Sequence, residues 1–313
     1  MDYFDLHCDT ALAILDRNER LEDASGTISL EKAAALHRYA QVYALFIDDK
    51  LRGEAAWRQY RRERDYLLRQ VKRCSHQIAV CTDAPMLCAT LNSGKRAILL
   101  SIEGGAAFGG KLERVAEAAN DGVRLLTLTW FGENELGYGS GVGGHFKPFG
   151  YEVLKECRRC GIVPDISHLS DEGVYDVFSA DSGCFIASHS NARNITGHFR
   201  NLSDEMMTEI VRRDGLIGLN FSNSFLNNEK ELACIDDIYR HIMYFLEHDC
   251  ENNLCFGSDF DGAHLPHGVE KIGDVATIYA YLEKHGICHD ILEHIFFENA
   301  ERFFMTTLGG KTE

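Results

Sequence analysis

Tyr3-Phe4-Asp5-Leu6-His7-Cys8-Asp9-Thr10 is an apolar run that closes on a histidine and an aspartate. On an extended strand alternate side chains share a face, so His7 and Asp9 can reach the same ion while Cys8 points the other way. The pair reads either as a two-residue metal clamp or as a strand end with a surface histidine and an aspartate that caps the next helix. The remaining strand ends of the chain decide between them.

Seven further runs rich in β-branched and aromatic residues cover 41–48, 96–103, 123–130, 162–168, 184–190, 216–222 and 254–259, which with 3–9 makes eight expected strands. Segments of helical period lie between them, among them 54–71, 112–120, 151–160, 204–213 and 235–248, with Ser203 or Asp204 placed to cap the fourth. Eight strands alternating with helices predict an α/β fold of the (β/α)8 TIM-barrel type. No repeat, low-complexity tract or Pro/Gly/Ser linker divides the chain, so a single domain over 1–313 is expected. The segment 131–150 carries seven glycines and follows the fourth strand. It reads as a mobile cover over a pocket or as a long structural loop.

The same residue types recur at the C-terminal ends of these strands. After His7 and Asp9 come Glu103 closing Leu99-Leu100-Ser101-Ile102-Glu103, His168 closing Asp165-Ile166-Ser167-His168, His189 closing Ala187-Ser188-His189, and Asp259 closing Gly257-Ser258-Asp259. In a parallel barrel those ends converge on one mouth, where active sites of this architecture sit. Three imidazoles with two or three carboxylates exceed the needs of one four-coordinate ion with an open position, and suit two ions sharing a carboxylate. Glu103 is the expected bridge, because it lies in chain order between the His7/Asp9 and His168/His189 pairs. Zinc fits these nitrogen and oxygen donors, and manganese, iron or cobalt would also accept them.

Composition narrows the partners. A net charge of -16 argues against nucleic acid and anionic membrane surfaces, which would repel the chain at long range. No apolar run approaches the roughly 18 residues of a membrane span. Met1-Asp2-Tyr3-Phe4 lacks the basic start of a secretory signal, so a complete chain of this sequence is expected in the cytoplasm. The 11 cysteines show no disulfide-like framework. Cys157 and Cys160 form the one Cys-x-x-Cys, read as an ordinary thiol pair near a helix end or, as the lesser alternative, a metal or redox pair.

Taken together, these residues resemble the metal-dependent membrane (renal-type) dipeptidases and their soluble bacterial relatives, peptidase family M19. The resemblance runs through Asp5-Leu6-His7-Cys8-Asp9-Thr10, Ser101-Ile102-Glu103-Gly104-Gly105, Leu126-Thr127-Leu128-Thr129, Asp165-Ile166-Ser167-His168-Leu169-Ser170, Ser188-His189-Ser190-Asn191-Ala192-Arg193, Arg200-Asn201-Leu202 and Gly257-Ser258-Asp259-Phe260-Asp261-Gly262. It implies a barrel of the metal-dependent hydrolase type, two zinc ions and, in many members, a homodimer. It also implies that His7 and Asp9 bind one zinc, His168 and His189 the other, and Glu103 both. Asp259 would be the catalytic acidic residue, and Arg200 the arginine that receives the substrate's terminal carboxylate.

Two positions depart from the family pattern. Trp130 stands where the family usually carries a histidine that contacts the substrate carbonyl, and Ser222 where better-known members have a tyrosine near the substrate. His145, in the glycine-rich segment, is a candidate replacement imidazole or an exposed loop histidine. The expected activity is a dipeptidase in which a metal-bridging hydroxide attacks the peptide carbonyl, with dipeptides ending in a D-residue among the substrates. The rivals are another amidohydrolase, deaminase or lactonase on the same barrel, or a metal or peptide binder whose catalysis lapsed with the change at Trp130.

Overall fold

The structure is a computed structural model that describes residues 1–309. Its strands are β1 (Tyr3–Cys8), β2 (Tyr39–Phe46), β3 (Ile78–Val80), β4 (Arg96–Glu103), β5 (Val123–Thr127), β6 (Val163–Asp165), β7 (Ile186–Ala187), β8 (Leu216–Leu219) and β9 (Leu254–Phe256). All pair in parallel, in the order β2-β1-β9-β8-β7-β6-β5-β4-β3, and a further pairing of β2 with β4 closes eight of them into a barrel. The ninth, β3, was not expected from the sequence. It lies along the start of β4, from Arg96 to Ile98, while β5 takes the later part, from Leu100 to Glu103.

The connecting helices are α1 (Thr10–Arg17), α2 (Gly53–Arg73), α3 (Ala84–Asn92), α4 (Glu113–Asn120), α5 (Pro148–Cys160) and α6 (Asp171–Ala180). They continue with α7 (Asp204–Arg212), α8 (Asn223–Leu226), α9 (Ile235–Glu247), α10 (Val275–Lys284), α11 (His289–Glu293) and α12 (Asn299–Thr307). Ser203 caps α7, its hydroxyl accepting the Met206 N–H. No helix among the described residues is long and apolar enough to cross a membrane.

Parallel strands covered on both faces are mostly apolar, and these are, with Asp5, His7, Glu103 and Asp165 among the exceptions. Phe4 and Leu6, Ala40 and Val42, and Ala97 and Leu99 fill the barrel with Leu125, Val163, Ile186, Leu216 and Cys255, and Phe303 and Phe304 from the last helix, with Leu308 just after it, close its lower end. The opposite faces, including Tyr39, Tyr43, Ile98, Leu100 and Ile102, pack under the helices.

One irregularity positions the site. Asp5 pairs with Gln41 but Cys8 with Tyr43, so β1 spends three residues where β2 spends two. Strict alternation after Phe4 and Leu6 would turn Cys8 into the barrel. The extra residue turns Cys8 outward and His7 inward, which is how a bulge re-aims a side chain beside an active site.

Candidate functional site

The expected strands all form, yet several end sooner than the sequence suggested: β5 at Thr127, β6 at Asp165, β7 at Ala187 and β9 at Phe256. His168, His189 and Asp259 therefore stand just beyond the ladder. His168 and Asp259 adopt left-handed backbone, with φ of 69° and 63°. Such turns cost energy for a residue with a Cβ, and they aim these two side chains back across the mouth.

The six side chains meet. His7 Nε2 lies 3.4 Å from Asp9 Oδ2, 3.6 Å from Glu103 Oε2 and 3.8 Å from Asp259 Oδ1. Glu103 Oε1 faces His168 Nε2 at 3.0 Å and His189 Nε2 at 3.6 Å. The two latter nitrogens are 2.8 Å apart. Glu103 thus stands between two clusters, with one carboxylate oxygen turned to each.

The donor chemistry fits metal ions. His7 Nε2 is buried without a hydrogen-bond partner, although three carboxylate oxygens surround it. Such a ring of donors around an unshared imidazole nitrogen is what a divalent cation takes up. Either His7, Glu103 and His189, or His7, Asp9 and Asp259, bring three ligand atoms close enough for one ion. Gly262 keeps the second group compact, since a Cβ there would lie 2.0 Å from Asp9 Oδ2 and 2.7 Å from Asp259 Oδ1.

Buried carboxylates behind the cluster hold it in place. Asp165 accepts the Ser188 hydroxyl at 2.5 Å and the Thr127 hydroxyl at 2.6 Å. With its proton so committed, Ser188 Oγ accepts from His189 Nδ1 at 2.7 Å, leaving His189 Nε2 with its lone pair toward Glu103. Asp5 plays the corresponding part for the other half, accepting the backbone N–H groups of His7 and Ser258, both at 3.0 Å. Asn220 donates to Asp259 Oδ2 at 3.0 Å and fixes that side chain from the neighbouring strand end. Sequence reasoning gave Asp5, Asp165 and Asn220 no role. For the two aspartates the available sign was an ionisable residue inside an apolar strand two or three positions before a candidate ligand; Asn220 carried no such sign.

Electrostatics reflect this crowding. Burial disfavours a charged His7, but Glu103, Asp9 and Asp259 outweigh it and push its pKa up to about 10. His168 and His189 are held neutral, first by burial and then by the positive charges of Arg200 and His7. Burial raises Glu103 well above the usual carboxylate range. It pushes Asp259 up to about 6, against the attraction of His7.

A cavity of about 450 Å³ opens over these groups, bordered by Asp9, Glu103, His168, Asp259, Trp130, Arg200 and Ser222. Its size suits a small molecule. Arg200 is buried, donates to His189 O at 3.1 Å and leaves its Nε without a partner. It makes no ion pair among the described residues. Burial lowers its pKa to about 10, which leaves it charged at neutral pH.

His145 does not join the site. It is exposed and faces Asp176 at 3.0 Å, the exposed-loop alternative of the two readings. The glycine-rich segment is tied down by Ser140 N–H on His168 O at 2.7 Å and Gly132 N–H on Asp49 at 2.6 Å. All the cysteines are free, and Cys157 and Cys160 sit in the last turn of α5.

Known proteins share this arrangement of chain. A dipeptidase of family M19 superposes with a TM-score of 0.93 at 24% identity, covering 99% of both chains. A metallopeptidase from Rhodobacter sphaeroides, solved with a phosphinate mimic of the dipeptide L-Ala-D-Ala, superposes with a TM-score of 0.92 at 23% identity, covering 98% of this chain and 99% of that one. These likenesses show the fold. By sequence, an uncharacterised dipeptidase of Schizosaccharomyces pombe is 28% identical over 72% of this chain, a match that spans only 56% of that protein. The dipeptidase tcpJ of Claviceps purpurea is 24% identical over 96% of this chain and 72% of its own length. The family model described as Membrane dipeptidase (Peptidase family M19) matches residues 1–308, and with the motif residues gathered at one barrel mouth the chain belongs to that family.

Proposed function

We propose that the protein is a zinc-dependent dipeptidase that cleaves the single peptide bond of a dipeptide, including dipeptides ending in a D-residue. In this reading His7 and Asp9 hold one metal, His168 and His189 hold the other, and Glu103 serves both. When bound, the metals supply an activated hydroxide and withdraw electron density from the scissile carbonyl. Manganese, iron or cobalt could occupy the same donors.

The protein's own groups set the rest. Asn220 occupies one oxygen of Asp259, so the other is free to carry the proton delivered to the leaving amine. Arg200 receives the C-terminal carboxylate through a paired, charge-assisted contact. Trp130 borders the same cavity, with its ring 6.5 Å from that of His168. An indole can donate one hydrogen bond but cannot carry positive charge, so Trp130 walls the cavity and would offer a developing oxyanion a neutral donor without a countercharge. Ser222 offers a small hydroxyl to the same cavity.

The observation that carries the reading is Arg200: a buried guanidinium with no carboxylate of its own, on the wall of the cavity that holds the histidine and acid cluster. Leaving a buried cation unpaired is costly unless a ligand completes it. A panel of L,L- and L,D-dipeptides, assayed beside their C-terminal amides with metal analysis on the same sample, tests it. Free dipeptides are expected to be cleaved and their amides to react at least ~100-fold more slowly, since a buried charged contact is worth roughly 3 kcal/mol or more. Equal rates on amides, or lactones turned over faster than dipeptides, would contradict it.

A further inference from the structure

An unbroken series of rings runs from the end of β2 to α8: Phe46 edge-on to Trp130 at 4.9 Å, Trp130 to Phe131 at 6.3 Å, and Phe131 to Phe199 at 5.7 Å. It continues through His198, stacked on Phe199 at 4.3 Å, to Phe225 at 4.6 Å; Phe46, Trp130, Phe131 and Phe225 line the cavity, while His198 and Phe199 link them from outside its lining. The Arg200 guanidinium lies 5.4 Å from the centre of the Phe225 ring and lines the same cavity. The same cavity is also lined by polar and acidic groups, Asp9, Asp259, Asp261, Ser222, Ser224 and His264 among them.

Phe131, which lines the cavity, and Phe199, packed edge-on against it, are 43% and 45% exposed and so form a contiguous exposed apolar patch beside the cavity. A substrate lying across the cavity has its orientation fixed by charge. Its carboxylate goes to Arg200 and its ammonium to the acidic groups. Because Arg200 neighbours the Phe225 ring, the side chain next to the carboxylate falls nearer the rings than the side chain next to the ammonium.

Building on the proposed dipeptidase activity, we infer that this arc is a specificity subsite for the C-terminal residue, selecting dipeptides whose C-terminal side chain is large and apolar, aromatic above all. Ring faces and edges give such a side chain both burial and favourable aromatic geometry. Trp130, where the family carries an imidazole, is the keystone of the arc because it touches both Phe46 and Phe131.

The test compares Ala-Ala, Ala-Leu, Ala-Phe and the reversed peptide Phe-Ala, by kcat/KM and by equilibrium binding to the metal-loaded protein followed through tryptophan fluorescence. Ala-Phe is expected to exceed Ala-Ala by about tenfold or more, mainly in KM, and Phe-Ala to show no such gain. In the Phe131→Ala/Phe199→Ala double variant, whose changed positions are half exposed, the ratio of Ala-Phe to Ala-Ala should fall severalfold. A flat series, an equal gain for Phe-Ala, or an unchanged ratio in the variant would overturn the subsite. If no dipeptide is cleaved, the activity reading falls by itself. The binding series then decides on the wall: preference for Ala-Phe that the double variant loses sustains it, and equal binding of all four peptides refutes it.

Discussion

Asp259 and Asn220 form the smallest unit on which the proposed chemistry turns. Asp259 sits in left-handed backbone, which aspartate tolerates better than most residues, and Asn220 holds one of its oxygens. Replacing Asp259 with Asn keeps the shape and removes the proton carrier. Turnover should fall by roughly 10²–10⁴ with metal content near normal; a fully active Asp259→Asn enzyme would refute the assigned role. Asn220→Ala acts indirectly, and a loss of about 10–100-fold is expected. Because the Asn220 hydrogen bond favours the charged carboxylate, its removal should also move the Asp259 limb of the pH–rate profile to higher pH. An unmoved profile would make Asn220 merely structural. At this scale the sequence exposed the residues whose chemistry is distinctive, His7, Asp9, Glu103, His168, His189 and Asp259, because each ends an apolar run. It did not expose their supports. Asp5, Asp165 and Asn220 act through hydrogen bonds to neighbouring strands, and those partners are set by pairing that the linear order does not state.

Among the elements, α2 carries a buried acid with a consequence for stability. Glu63 accepts the Phe46 backbone N–H at 2.8 Å and the Gln59 side-chain amide at 2.6 Å, and burial pushes its pKa up to about 8 from an ordinary 4.5. The folded protein therefore binds a proton there that the unfolded chain has lost, so this group's contribution is full below pH 4.5 and drains away as pH rises to about 8. Each unit of that interval is worth up to about 1.4 kcal/mol. Glu63→Gln should flatten the loss of thermal stability between pH 5 and pH 8, and melting curves that keep the wild-type slope would show that Glu63 is not its source. The elements also explain where strand boundaries shifted. Periodicity continues through Trp130 and His168, but the backbone leaves the ladder at Thr127 and Asp165, since residues aimed into the mouth cannot also keep β geometry. The inward turn of His7 depends on a bulge in β1, which an alternating pattern read in isolation does not reveal. The three residues of β3 are too few to establish any period.

For the whole molecule, closure of the barrel brings residues more than 250 positions apart into one cluster, and that closure was legible because eight strand-like runs alternate with helical ones. The arc of rings was not, because Phe46, Trp130, Phe199 and Phe225 come from four different strand ends and carry no shared spacing. Gathering Asp9, Glu103 and Asp259 around His7 makes it costly to ionise all three carboxylates, as the raised Glu103 and Asp259 show, unless further cations offset them. Chelation should therefore lower Tm, and restored metal should raise it again, by about 2.7 kcal/mol of stability per site at free metal about 100 times Kd. A Tm indifferent to both treatments would mean that the cluster holds no ion. The most direct measurement is an anomalous-difference map from a zinc-soaked crystal. Two peaks flanking the Glu103 carboxylate, one beside His7 and Asp9 and one beside His168 and His189, are the predicted result, and a map with no peak there, or with a single ion that Glu103 does not touch, would contradict it.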